Sequence, residues 1–483
     1  MKISISDLAD KADIKLGTSR LRGLVTDLSN EICFAYTQAF LQSTPIKDKR
    51  VVIGHDLRPS SPRITKACIT AAEQLGFTCE YVGALPTPAL AHFGMQYSIP
   101  GIMVTGSHIP FDRNGIKFYR LDGEISKEDE QSIMDSTVSL PESDDRSELP
   151  TINSAASELY LTRYTSLFAS DFLKGKTIAV YEHSGVARDL LNTLFKSFGA
   201  EVISLGRSDT FVPIDTEAIR EEDIEQARAW ASKKSFDMLV STDGDADRPL
   251  IADEQGTFLR GDIIGILCSY FLKATCIATP VSSNTALEKS ELFNFVIRTR
   301  IGSPYVIEAL EKLRANHPSE IIAGYEANGG FLLGSEAYIN QQNISALPTR
   351  DAILPMLAAL GLAEKLNKPV SQLSEFLPKR YTHSDRIQNL PNHIIEQLIS
   401  FLANNPEKAI KLLLPEATCI RAIDLTDGLR AIFDTGDIVH LRSSGNAPEL
   451  RCYAESDIQQ QAKKISSNCL SRIKKLQYKL GSI

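Results

Sequence analysis

The sequence predicts an α/β protein, three similar α/β domains followed by a smaller α+β C-terminal domain. Three observations predict it. First, two stretches share one layout. Val51-Val52-Ile53-Gly54-His55-Asp56 reads as a buried strand, followed by a helical stretch, Gly76, and a strand from Thr78 to Val82 that ends at Gly83. Ile178 to His183 repeats the strand, followed by a helix through Phe198, then Gly199, then Glu201 to Leu205 ending at Gly206. The two glycines of each pair lie seven positions apart, and the first of each suits the left-handed residue that closes a helix. Second, a weaker third copy follows Gly261, with a helix over 263–272, an apolar run Cys276–Val281, then Ile301-Gly302 and Ile321-Ile322-Ala323-Gly324. Strand–helix–strand repeats of this kind build layered α/β domains. Third, the character changes after about residue 370. Residues 419–454 alternate into short strands with turns at Asp427-Gly428 and Thr435-Gly436, and a polar amphipathic helix closes the chain. The expected domains are 1–155, 156–258, 259–372 and 373–483.

Size and charge narrow the function. With 483 residues there is ample material for several buried cores. A hydrophobic fraction of 43% and a charged fraction of 23% describe an ordinary globular chain. A formal charge of −8 argues against a general nucleic-acid binder, so an anionic substrate must be attracted locally. Met1 to Asp7 lacks the apolar stretch of a signal peptide. Ile263 to Leu272 is too short to span a bilayer and reads as a buried helix capped by Asp262. The eight cysteines form no Cys-x-x-Cys pair, which fits a reduced, cytoplasmic compartment. Neither nucleic acid nor membrane is an expected partner, and a monomer or homodimer is the expected state.

The run Asp243-Gly244-Asp245-Ala246-Asp247, sealed by Arg248, carries most of the chemistry. Three carboxylates at alternate positions repel one another unless a cation sits between them. Phe236 to Val240 ahead of them reads as a buried strand, so the run lies at a strand's carboxyl end, where α/β sheets bind ligands. Oxygen-only ligands suit a hard divalent ion. A solvated acidic turn is the plain alternative. A calcium-binding loop would use Glu254 at its twelfth position, but Arg248 stands where that loop needs glycine and the preceding segment is a strand.

Other loops are weaker individually. Gly101 to Thr105 is a buried strand leading into Gly106-Ser107-His108-Ile109-Pro110. Gly106 is read as the residue that lets the chain turn sharply and expose the serine hydroxyl, and Pro110 stiffens the exit. His108 is adjacent, although neighbouring side chains seldom face one another. A turn serine beside a structural histidine is the plain reading. Lys117 follows the turn Asp112 to Gly115 and is a candidate proton shuttle or phosphate contact. In Gly324-Tyr325-Glu326-Ala327-Asn328-Gly329-Gly330, Glu326 and Asn328 can present an acceptor and an amide to sugar hydroxyls, or the loop is simply a turn. Arg442-Ser443-Ser444-Gly445-Asn446 supplies a guanidinium, hydroxyls and open N–H groups for a phosphate. Gly17-Thr18-Ser19-Arg20-Leu21-Arg22-Gly23 is a second basic, glycine-flanked loop. For both, a surface turn is the alternative. An exposed serine, a divalent-metal triad, a diol-binding loop and a phosphate cradle in succession describe phosphoryl transfer on a sugar phosphate.

This set, in this order, resembles the α-D-phosphohexomutase superfamily, and within it the bacterial phosphomannomutases, from Gly17 to about Tyr453. Thr105-Gly106-Ser107-His108-x-Pro110 matches the phosphoserine loop and Asp243 to Arg248 the metal loop. Glu326-Ala327-Asn328-Gly329 resembles the sugar loop, usually Glu-x-Ser-Gly-His, and Arg442 to Pro448 the phosphate loop, usually Arg-x-Ser-Gly-Thr-Glu-Pro. Gly330 stands where a histidine with a proposed acid/base role is common. Asn446-Ala447 replaces Thr-Glu, Arg20 replaces a glycine, and Ile109 replaces an asparagine. The resemblance implies mixed sheets around a central cleft, with the last domain as a lid. It implies a phosphoserine at Ser107, one Mg²⁺ held by Ser107 (as its phosphoryl group), Asp243, Asp245 and Asp247, and a hexose 1,6-bisphosphate intermediate and activator. Ser107, His108, Lys117 and Arg248 are the implied catalytic residues. Arg22, Glu326, Asn328, Arg442, Ser444, Gly445 and Asn446 are the implied substrate contacts. The implied reaction interconverts mannose 1-phosphate and mannose 6-phosphate, with glucose or both sugars as the alternative. A sugar-phosphate phosphatase and a non-catalytic sugar-phosphate binder are the rivals from other classes.

Overall fold

The computed structural model describes residues 2–9, 14–17, 19–46, 48–140, 148–444 and 448–480. It divides into two compact units, Met1–Ala274 with Leu310–Leu373, and Thr275–Ala309 with Ser374–Ile483.

In the first unit the opening sheet has six strands in the order Lys15–Gly17, Arg20–Leu24, Arg113–Tyr119, Gly101–Val104, Arg50–His55, Thr78–Ala84. Gly101–Val104, Arg50–His55 and Thr78–Ala84 run parallel, while Arg113–Tyr119 turns back antiparallel to both of its neighbours. Arg50–His55 is apolar from Val51 to Ile53 and buried there, as a strand covered on both faces must be. The helix Asn30–Ser43 begins where Ser29 accepts the amide of Ile32, and it packs Phe40 against Phe118 with ring centroids 4.7 Å apart. Gly76 and Gly199 both take left-handed angles (φ of 79° and 80°), so each closes its helix as the spacing predicts.

The second sheet runs Glu201–Leu205, Thr177–Tyr181, Met238–Thr242, Pro249–Ala252, the first three parallel and the last antiparallel. A third group in this unit pairs Ile322–Tyr325, Phe331–Leu333 and Leu347–Asp351 antiparallel. The helix Gly261–Phe271 is buried as expected, but Asp262 is not its cap. Arg260 holds that position, and Asp262 sits inside the first turn, where it accepts from Ile263 N at 3.0 Å and Arg260 Nε at 3.3 Å. The first residue of the helix is glycine because a Cβ at 261 would lie 2.2 Å from Gly329 N.

In the second unit Cys276–Pro280 and Phe295–Thr299 pair in parallel. An antiparallel sheet follows in the order Tyr381–Ile387, Leu450–Ser456, Ile438–Ser443, Leu429–Phe433, Ile420–Asp424, with left-handed glycines at 428 and 436 making the expected turns. Its core packs Ile395, Leu402 and Leu413 from two helices with Ile465, Cys469 and Ile473 of the closing helix Gln459–Leu480. No helix among the described residues is long and apolar enough to cross a membrane.

Candidate active site

The first unit brings together the serine loop, the aspartate run and the Glu326 loop. The strand Gly101–Val104 delivers Thr105, Gly106 and Ser107 at its carboxyl end. Here the expected role of Gly106 needs correction. The left-handed residue is Ser107 itself, at φ 54°, a costly conformation for a side chain other than glycine. Gly106 is glycine because of a close approach: a Cβ would lie 2.4 Å from the guanidinium carbon of Arg58. That guanidinium is fully buried and donates to the carbonyls of Ser107 at 2.9 Å, Pro110 at 2.6 Å and Arg113 at 3.0 Å, while its Nε faces Asp56 Oδ2 at 3.2 Å. Asp56 in turn accepts from Thr105 Oγ1 at 2.8 Å and Gly106 N at 3.2 Å, and Thr105 Oγ1 accepts from Ser107 N at 2.8 Å. This network holds Ser107 in its strained angle.

Ser107 Oγ donates to Asp243 Oδ2 at 2.6 Å. The three carboxylates of the run lie with ligand oxygens within 4.8 Å of one another, all buried. Ala246, also left-handed at φ 56°, folds the loop so that they converge. Their partners come from remote segments. Lys117 Nζ donates to Asp245 Oδ2 and Asp247 Oδ2, both at 2.6 Å. Thr87 Oγ1 donates to Asp245 at 2.6 Å, and Arg350 contacts Asp247 through Nε at 3.0 Å and Nη2 at 2.8 Å. Asp245 Oδ1 and Asp247 Oδ1 are buried with no hydrogen-bond partner. Three clustered carboxylates with two free oxygens fit a hard divalent cation. Burial and the charges of Asp245 and Asp247 push Asp243 well above the usual carboxylate range. Burial also opposes ionisation of Asp247, but Arg350, Lys117 and Arg248 outweigh it and hold that carboxyl low.

His108 does face its neighbour. Its Nδ1 lies 3.5 Å from Ser107 Oγ and accepts from Arg248 Nη1 at 2.9 Å. Burial, then Arg248, Arg22 and Arg20, hold the imidazole well below its ordinary pKa, so it is neutral. In the Glu326 loop Asn328 Nδ2 lies 3.5 Å from Glu326 Oε2, so the two side chains point together, and Arg350 Nη1 reaches the same oxygen at 3.3 Å. The glycine at 330 has a physical reason: a Cβ there would lie 2.5 Å from Arg350 Cδ. Arg350 fills the space that a larger residue would need.

Arg442 and Ser444 belong to the second unit. Arg442 is the last residue but one of the strand Ile438–Ser443, with its Nε 3.3 Å from Asp427 Oδ2, and Ser444 N donates to Glu449 O at 2.9 Å. Thr18, Gly445 and Asn446 lie outside the described residues. Five residues of the first unit's site escaped the sequence reading as contributors: Asp56, Arg58, Thr87, Arg350 and, beyond its mention as a departure, Arg20. Asp56 and Arg58 follow a strand of the repeat, which was the available signal. Thr87 and Arg350 carried none.

Comparison with known proteins identifies the family. Residues 13–143, 158–256 and 260–381 match the models of α/β/α domains I, II and III of phosphoglucomutase/phosphomannomutase. A phosphomannomutase of Salmonella muenchen is 50% identical over 470 residues, 97% of each chain. Another, of Sinorhizobium fredii, is 42% identical over 92% of this chain and 95% of its own. A phosphoglucomutase/phosphomannomutase family protein of Burkholderia thailandensis shares the fold at a TM-score of 0.73 and 19% identity, covering 98% of each chain. The chain belongs to the phosphoglucomutase/phosphomannomutase family and is a hexose-phosphate mutase, an isomerase.

Proposed function

We propose that this mutase interconverts mannose 1-phosphate and mannose 6-phosphate through a phosphorylated Ser107 and mannose 1,6-bisphosphate. The observation that carries the reading is the strained Ser107, whose hydroxyl is aimed at the aspartate triad. The phosphomannomutase relatives support mannose, with glucose or both sugars as the second choice.

Ser107 carries the phosphoryl group in the working form. A free sugar hydroxyl attacks phosphorus, the serine P–O bond breaks, and the serine oxygen keeps the electron pair and takes a proton. The bisphosphate turns around, and its other phosphate returns to Ser107 by the reverse step. Asp243, Asp245 and Asp247, with a phosphoryl oxygen, would hold Mg²⁺, which supplies charge neutralisation at the group in transit. Lys117 is the proposed proton carrier, because its ammonium lies between two carboxylates of the triad. Arg248 and neutral His108 steady the phosphoryl group. Glu326 and Asn328 hold sugar hydroxyls, and Arg22 contacts the transferred phosphate. Arg442 and Ser444, with Gly445 and Asn446, take the phosphate that is not transferred. Positioning and electrostatics supply most of the acceleration in such transfers.

Ser107→Ala should lower turnover by at least about 10³-fold, because the group transferred has no carrier, while sugar-phosphate binding persists. The check is ³¹P NMR with Mg²⁺, a trace of hexose 1,6-bisphosphate and mannose 1-phosphate or glucose 1-phosphate in separate tubes. The wild type should give the 6-phosphate resonance faster from mannose. Release of inorganic phosphate alone would favour a phosphatase, and undiminished turnover by the alanine variant would sink the phosphoserine.

A further inference from the structure

One strand of the first unit carries a buried charge that the mechanism above does not use. Arg20 and Arg22 alternate along Arg20–Leu24, which pairs antiparallel with Arg113–Tyr119 so that Arg20 lies opposite Lys117. Alternation in a strand puts positions 20 and 22 on one face, and directly opposed residues share that face. Arg20 and Arg22 therefore project beside Lys117, toward the aspartate run. Lys117 and Arg350 are fully engaged by carboxylates there. Arg20 is not. It is 8% exposed, has no side-chain hydrogen bond or ion pair among the described residues, and its Nη1 is buried without a partner. Arg22 Nη2 is likewise buried without a hydrogen-bond partner, and so is Arg248 Nε, although the latter stands 3.6 Å from Asp247 Oδ1.

The electrostatics agree with the geometry. Burial first, then the charges of Arg350 and Arg248, pull Arg20 down to about 10. Burial, then Arg20 and Arg248, hold Arg22 well below its ordinary value. The same three guanidiniums are the charges that depress His108, whose ring meets Ser107 Oγ and is held by Arg248 itself. A buried guanidinium with no partner destabilises a fold. Nor does the local pattern demand it, since the loop that this segment resembles has glycine at position 20. Such a residue is retained when a ligand completes it, and planar N–H forks match the oxygens of a phosphoryl group.

We propose that Arg20 is a further phosphoryl-binding residue of this site, forming with Arg22 and Arg248 a seat of three guanidiniums beside Ser107 for a dianionic phosphoryl group. The inference rests on the mutase reading in that the group seated is the one in transit to or from Ser107. The seat tightens the hold on the sugar bisphosphate, so that the intermediate turns around without being lost.

The test uses the full chain, freed of metal by EDTA, with glucose 1,6-bisphosphate as the calorimetric probe. Arg20→Met removes the charge and keeps an apolar stem, and Arg20→Lys keeps a point charge. Loss of a charge-assisted contact should weaken bisphosphate binding by about 10-fold or more in Arg20→Met and by less in Arg20→Lys. Melting without ligand separates binding from structure: Arg20→Met should melt at the wild-type temperature or above it. With Mg²⁺ and mannose 1-phosphate, KM should rise and bisphosphate should accumulate free in solution during turnover. Unchanged affinity in Arg20→Met would overturn the proposal, as would a fall in melting temperature that accompanies the lost affinity. If Arg20→Met fails to fold, the role is structural and the proposal falls; Arg20→Lys, if folded, must then bind as the wild type does. A wild type that turns over no hexose phosphate, yet binds bisphosphate in an Arg20-dependent way, would sink the mutase reading and leave this one standing.

Discussion

The two strand–helix–strand repeats carry a histidine and a carboxylate at the carboxyl ends of their first strands, in opposite order. His55-Asp56 closes the first and Glu182-His183 the second. In each repeat the last residue of the pair secures the loop that does chemistry. Asp56 grips Thr105 and Gly106 of the serine loop and carries Arg58 with it. His183 Nε2 donates to the carbonyl of Thr242 at 2.9 Å, one residue before the aspartate run. The residue before it does peripheral work. His55 is held between the Asp56 carbonyl and Tyr81, and Glu182 accepts from Asn192 and meets Arg207 near the surface. Position, not residue type, decides which member of the pair supports the site. A charged clamp suits the serine loop, which must be pinned by many donors at a strained angle. A neutral imidazole suits the aspartate run, where another carboxylate would add repulsion to three already close.

The charged clamp should be the easiest to break. The pair Arg58–Asp56 is shielded from water, with side chains 0% and 1% exposed. Asp56→Ala would strand the guanidinium and release Thr105 and Gly106. Stability should fall by about 3–5 kcal/mol, the usual result of removing one partner of a buried pair, read from urea unfolding. Turnover should collapse in protein that remains folded, since Thr105 and Arg58, which hold Ser107 at its positive φ, lose their common anchor. A loss under about 1 kcal/mol would mean that the four carbonyls, of Ser107, Ile109, Pro110 and Arg113, alone keep Arg58 in place.

The neutral clamp breaks with acid. Burial pulls the His183 imidazole down to about 4 from an ordinary 6.5, only partly offset by its bond to Thr242. Its Nδ1 is buried without a partner, so a second proton has nowhere favourable to go. The folded form thus holds its proton less tightly than the unfolded chain. Above pH 6.5 both are neutral and stability is unaffected. Between 6.5 and 4 the unfolded chain takes up the proton first, and stability falls by about 1.4 kcal/mol per pH unit, about 3 kcal/mol in all. Urea midpoints at pH 7 and pH 5 should show a shallower acid loss for His183→Gln than for the wild type. Parallel losses in both proteins would remove His183 from the acid transition.

These clamps also mark what the sequence makes legible. Contiguous features are readable. The aspartate run, the serine after a buried strand, the glycines that close helices and the turns at 428 and 436 each depend on neighbours in the chain. Contacts across long separations are not. Thr87 reaches Asp245 over 158 positions and Arg350 reaches Asp247 over 103, and nothing near Thr87 or within Leu347–Asp351 signals a role. Arg350 is placed by its neighbour, since Tyr160 and Tyr164 both donate to Asp351 from a helix far upstream. Asp262 shows the converse limit, because an acidic residue at a helix start resembles a cap until the helix is seen to begin at Gly261, two residues earlier than expected. Gly106 shows another, since flexibility and close approach both call for glycine and only the position of Arg58 separates them.

Glu182 is where the comparison predicts the least. Its carboxylate is 2% exposed on the side chain, but its ionic partner Arg207 is 46% exposed and stands 3.4 Å away, bound more closely to Asp189 at 2.7 Å. Much of the pair's attraction is therefore screened by water. Glu182→Gln keeps an oxygen for Asn192 Nδ2, whose bond of 2.6 Å is the stronger contact. The expected cost is about 0.5–1 kcal/mol, with kcat and KM unchanged because neither Ser107 nor the aspartate run is touched. A loss as large as that of Asp56→Ala, or a fall in kcat, would show that the first residue of the pair also supports the site, and that the inverted order of the two repeats has no functional meaning.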